Sequence, residues 1–137
     1  MHLKVLWALA AATVVLTGCN KAEPPAEVAR DVEKARAEGQ RDVADARADV
    51  QQANADADKQ VADAIAKHDD DEVAEQAHDA NAAFDKGKAK IMIAQAEADH
   101  KVAVEKCDAL EGPAQKDCKD NADRALDDAK QTAKTNR

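Results

Sequence analysis

Three cysteines, four histidines and a dense set of carboxylates are the side chains in this sequence able to do chemistry. Cys19 follows the small pair Thr17-Gly18 at the end of an apolar run, a thiol placed for covalent modification. Cys107 and Cys118 form an even pair further along. Among His68, His78 and His100 no two stand four apart, so no helix face offers paired imidazoles to a metal. His68 beside Asp69, Asp70, Asp71 and Glu72 has the ligand types for a loose divalent cation. The same residues suit a solvated polar turn, which is the preferred reading, and no metal ligand is assigned. The chain has no serine and no tyrosine, which removes a serine nucleophile, and it has no glycine-rich phosphate loop. Its many carboxylates would lie on open helices, where nothing desolvates them or moves their pKa values. No catalytic residue and no cofactor is assigned, and the expectation is a non-enzymatic protein.

The segment leading to Cys19 has the three parts of an export signal. His2 and Lys4 give a positive start, Val5 to Leu16 an apolar run, and small residues precede the cysteine. A run of about twelve residues is too short for a membrane-spanning helix, which needs about 20, so residues 1–18 read as a cleaved signal peptide. The ending Leu16-Thr17-Gly18-Cys19 resembles the lipobox of bacterial lipoproteins. That resemblance implies that Cys19 is the lipidated first residue of the mature chain, carrying a diacylglycerol thioether and an N-acyl group. Several acyl chains hold a protein on a membrane stably where one does not. Asn20 stands where an aspartate would favour inner-membrane retention, so the resemblance also implies an outer-membrane lipoprotein facing the periplasm. Residues 19–25, with Pro24-Pro25, read as the lipidated cysteine and a short tether.

Composition limits the body beyond the tether. The formal charge is −8, and removing residues 1–18, which hold Lys4 and no acid, makes it more negative by one. Such a chain repels nucleic acid and anionic lipid headgroups, so neither is expected as a partner. Alanine supplies much of the apolar content, and the chain beyond residue 18 has only about a dozen Val, Ile and Leu residues, too few for a conventional core. Ala, Glu, Gln, Lys and Arg favour helix. Residues 26–110 contain no proline and only Gly39 and Gly87 as glycines, so this stretch reads as long helices, with Gly87 marking a candidate bend. The fold class expected is all-α: alanine-rich helices, either extended or paired in a thin antiparallel hairpin.

The sparse bulky residues are ordered. Val32, Val43, Val50 and Val61 are spaced 11, 7 and 11, and so are Val73, Phe84, Ile91 and Val102. Each set forms one narrow stripe, because 18 residues make five whole helical turns. The two stripes are out of phase, so the helix is expected to break within the polar run 67–72. Mixed spacing of this kind does not specify a left-handed coiled coil. Charge pairs at helical spacing, Asp63/Lys67, Glu97/Lys101, Lys116/Asp120 and Asp120/Arg124, are expected to add a few tenths of a kcal/mol each.

In residues 111–137, Gly112-Pro113 signals a helix stop and restart. Cys107 and Cys118 lie five residues to either side, which sets them at matching heights on two facing helices. In an oxidising compartment they are expected to form a disulfide closing a helical hairpin. Neither Cys-x-x-Cys spacing nor a histidine cluster supports a redox or metal pair.

Phrases such as Asp42-Val43-Ala44-Asp45-Ala46-Arg47, and the segment Cys107-Asp108-Ala109-Leu110-Glu111-Gly112 leading to Cys118, resemble small alanine-rich envelope proteins of proteobacteria. The layout is also similar to the murein lipoprotein, a lipid-anchored helix on the outer membrane. That family's C-terminal lysine is matched only by Lys134 nearby, and its strict heptads are absent, so peptidoglycan contact and trimerisation are not carried over. The reading reached is a structural or scaffold lipoprotein presenting an acidic helical rod to the periplasm. Two alternatives stand beside it. One is an adaptor gripping an envelope complex, or a second copy, through the valine stripe. The other is a helical stress protectant.

Overall fold

The computed structural model describes residues 21–135, so the signal segment, Cys19 and Asn20 lie outside the described residues. It contains three helices, α1 (Pro25–Lys67), α2 (Asp70–Cys107) and α3 (Gly112–Thr135). No strand occurs among the described residues. At 1.5 Å per residue they are about 65, 57 and 36 Å long.

Local chemistry fixes each boundary. Pro24 is extended (φ −56°, ψ 138°) and Pro25 opens α1, where a missing N–H costs nothing. At the other end His68 adopts the left-handed conformation (φ 56°), and its N–H bonds to the Ile65 carbonyl. Asp69 then caps α2, its carboxylate accepting the Glu72 N–H at 3.0 Å. Lys67 reaches over this turn to Glu72 at 2.9 Å. The second turn ends α2 at Cys107, and Gly112 supplies the positive φ (57°) from which α3 departs.

The two long helices form an antiparallel hairpin. Partners on α1 rise as those on α2 fall: Gly39 lies against Ala98, Asp42 against Lys101, Asp49 against Lys90 and Val50 against Gly87. On α1 the covered positions run Val32, Ala35, Gly39, Val43, Ala46, Val50, Asn54, Ala57, Val61, in steps of 3, 4, 4 repeated. The valine spacing of 11, 7 and 11 is the bulky subset of this ladder. Eleven residues over three turns gives 3.67 per turn, so the hairpin has no cause to coil left-handed.

Gly87 does not interrupt α2, which is one continuous helix. It admits Val50 instead. A Cβ built on Gly87 would stand 2.7 Å from a Val50 methyl, and one on Gly39 would stand 2.6 Å from the Ala98 Cβ. The glycines are reciprocal, one per helix and one 11-residue step apart. They bring the backbones close enough for alanine and valine to fill the seam.

The α2 helix packs on two opposite sides. Ala98 faces α1 and Cys107 faces α3, and nine residues are about two and a half turns. Close backbone approaches join α1 to α2 and α2 to α3 but not α1 to α3. The helices therefore lie in a row, a ribbon one helix thick. This explains why the expected α2 stripe is not one buried face. Val73, Ile91 and Val102 are half-buried while Phe84 is 51% exposed, because the burial of α2 is divided between two sides.

Candidate functional site

Ala22 and Glu23 are held at one end of the ribbon, where α1 begins and α2 turns into α3. The Ala22 N–H donates to Glu111 Oε1 (3.1 Å) and the Glu23 N–H to the Asp108 carbonyl (2.8 Å). Asp108 organises this foot. Its carboxylate also accepts from Gln115 Nε2 (2.8 Å) and pairs with Lys119 (2.7 Å). Beneath it the Cys107–Cys118 disulfide, with Cα atoms 5.6 Å apart, ties α2 to α3, and Cys107 is fully buried. The stapled C-terminal hairpin expected from the sequence is present. What spacing could not reveal is that its turn also receives the tether, since a backbone dock of two N–H groups leaves no residue-type signature.

Among the described residues Glu23 is the one group with an occluded, unpaired side-chain oxygen, Oε2. Its carboxyl is held above the ordinary carboxylate value, first by partial burial and then by the neighbouring Asp108, Glu27, Asp31 and Glu105 charges.

The broad faces of the ribbon differ. Among the described residues, all five ion pairs that join neighbouring helices through their sides lie on one face: Asp42–Lys101 and Asp49–Lys90 between α1 and α2, and Glu97–Lys130, Asp108–Lys119 and His100–Asp123 between α2 and α3. On this face Lys101 is held protonated above its usual range, chiefly by its hydrogen bond to Asp42. Lys116/Asp120 is the one pair of the four expected at helical spacing that forms as a direct contact. Glu97, Lys101 and Lys67 reach other partners, and Arg124 bonds the Asp120 carbonyl oxygen rather than its carboxylate.

The opposite face has a shallow groove of about 350 Å³ over the α1–α2 seam. Gly39, Val43, Ala98 and Val102 form its floor, and Arg36, Gln40, Arg47 and Gln95 its rims. Arg36 pairs only with Glu33 on its own helix (2.7 Å), and Arg47 makes no ion pair among the described residues.

The histidines are dispersed. His68 shapes the first turn, His78 is exposed beside Asp79 (3.5 Å), and His100 bridges to Asp123 (2.7 Å). Among the described residues no three His, Cys, Asp or Glu side chains are placed to hold a metal ion. No described helix is long and apolar enough to cross a membrane. No protein-family model, curated protein or solved structure matches this chain.

Proposed function

We propose that this chain is a non-enzymatic, lipid-anchored lipoprotein of the outer membrane, a periplasm-facing scaffold whose acidic ribbon stands on its stapled foot. The observation that carries the reading is the docking of Ala22 and Glu23 onto the α2–α3 turn. If Cys19 carries lipid, only Asn20 and Lys21 separate it from the hydrogen-bonded Ala22, three steps along the chain and a reach of about 10 Å. The tether then acts as a short fixed link, and the ribbon projects about 65 Å from its anchor. A long, thin body with a specified base suits spacing or presentation better than a chemical step: among the described residues the carboxyl that burial shifts, Glu23, is part of the docked foot itself.

Capture of an envelope partner by the valine stripe would require the hairpin to open, because Val43 and Val50 are buried against α2.

Intact mass measurement tests the proposal. Protein is extracted from separated inner and outer membranes, with free thiols alkylated before any reduction. The expected result is a chain beginning at Cys19, heavier by three acyl chains, in the outer-membrane fraction and with no alkylated cysteine. An unacylated chain in the soluble periplasmic fraction would overturn the anchor, and with it the scaffold reading.

A further inference from the structure

We infer that the α2–α3 turn is a membrane contact: Leu110 and the small residues beside it rest in the interface of the bilayer that holds the anchor, and the ribbon stands on this turn. The inference rests on the lipidated Cys19 proposed above. Of the four exposed large hydrophobics among the described residues, Leu110 (40% exposed) is the one that lies outside the helices. Ala109 beside it, and Pro113 and Ala114 in the first turn of α3, are exposed as well. The backbone that carries them is fixed. The Ala109 N–H donates to the Lys106 carbonyl (3.3 Å) and the Leu110 N–H to the Cys107 carbonyl (3.0 Å), and Gly112 then turns the chain into α3.

A single leucine on a turn is commonplace. The length of the tether is what selects lipid as its occupant. Ala22 is bonded to Glu111 and Glu23 to Asp108, so the chain coming from the anchor ends on this turn. Cys19 lies three steps before Ala22, about 10 Å at full extension. The headgroup layer is itself about 5–8 Å deep on each side of a bilayer. A fully stretched tether lifts the turn only just clear of the headgroups, and any slack lowers it among them. The anchor also holds the turn at high local concentration, so seating it costs little further freedom. Burying the part of Leu110 that is still exposed then favours the seated turn about fivefold.

Charge permits this placement. Lys21 and Lys106 are exposed and make no ion pair among the described residues, which leaves both for lipid phosphates. Of the acids in the turn, Asp108 is paired with Lys119, and Glu111 accepts the Ala22 N–H. Asp117 stands about 8 Å further along α3, at the level of hydrated headgroups or above. A ribbon lying flat on Phe84 or Met92 would instead carry residues 51–88, with ten acids against four lysines, onto the headgroup surface.

The test uses tryptophan fluorescence of the processed chain in phosphatidylcholine vesicles. Its acylation is checked by mass and its helix by circular dichroism. The sequence has one tryptophan, Trp7, within the signal segment, so L110W and M92W each carry a single fluorophore after processing. Met92 is about 22 Å above the end of α2, and its substitution brings the same intrinsic liking of tryptophan for interfaces. The expected result is a blue shift and strong quenching of L110W by lipids brominated just below the headgroups, with M92W unchanged from its emission in water. An acylated, vesicle-bound L110W chain that is not quenched would overturn this inference alone. Equal quenching of L110W and M92W would overturn it too, because the ribbon would then lie flat. A chain without acyl groups that stays off the vesicles would overturn both this inference and the anchor on which it rests.

Discussion

The two ends of the ribbon are built to different standards. Around the foot, α1 buries Val28, Val32, Val43 and Val50, two interhelical ion pairs cross the seam, and a disulfide, a third helix and the tether meet within a few residues. The far end, residues 51–88, has only two helices, and its α1 seam is Asn54, Ala57, Val61 and Ala64. It also carries ten acids against four lysines, a concentration of like charge that opposes compaction. The same helical composition therefore gives a firm foot and a weak tip. Local opening should begin at the His68–Asp69 turn and run downward.

Removing the disulfide should blur this contrast most. A Cys107→Ala/Cys118→Ala chain is expected to lose about 2–4 kcal/mol in urea unfolding. Amide exchange should rise in α3 and at Ala22 and Glu23 while the tip stays as it was. Equal losses at both ends would show that the foot is not a separate cooperative region.

The seam glycines come next. Gly39→Ala drives a methyl into the Ala98 backbone and side chain, with its Cα only 3.1 Å away. It should destabilise by about 1–3 kcal/mol, outweighing the roughly 1 kcal/mol that alanine gains in helix propensity. Gly87→Ala meets the Val50 side chain rather than backbone and should cost less. Paired denaturation curves decide the order, and a Gly39→Ala chain more stable than the parent would refute the close approach.

Removal of the tip's cap, Asp69→Ala, should cost about 1 kcal/mol. Its effect should appear as faster amide exchange in residues 60–80 and not at the foot.

The smallest effect is a pH dependence at the foot. Glu23 has a raised pKa in the folded chain, so the folded state binds its proton more tightly than the unfolded state. The dock is then firmest below the ordinary value of 4.5 and loosens as pH rises through the raised folded value. Exchange at the Ala22 and Glu23 amides should quicken over that window, and Glu23→Gln should abolish the change. A trend of opposite sign would mean that another group governs the dock.

What the sequence revealed depended on how many neighbours a helix has. For α1, packed on one side, the valine ladder showed the buried stripe directly. For α2, packed on two sides, the stripe through Phe84 captured part of one contact face, and the alanines facing α3 carried no bulk to betray them. Short-range charge pairing was a weaker guide, because Glu97 and Lys101 have partners on neighbouring helices and take them in preference to each other. Gly87 read as flexibility when its use is proximity. The staple was legible because a Gly-Pro turn flanked symmetrically by cysteines leaves one natural pairing. The docked tether was not, because it is held by backbone N–H groups.

A single row of helices also has mechanical consequences. A strip about 28 Å wide and 10 Å thick resists bending within its own plane roughly eightfold more than bending across its broad faces, since stiffness scales with the square of that ratio. Loaded from the side, the three-helix part should flex like a blade, in one direction only. A second layer laid on the open face would double the thickness and remove most of that preferred direction.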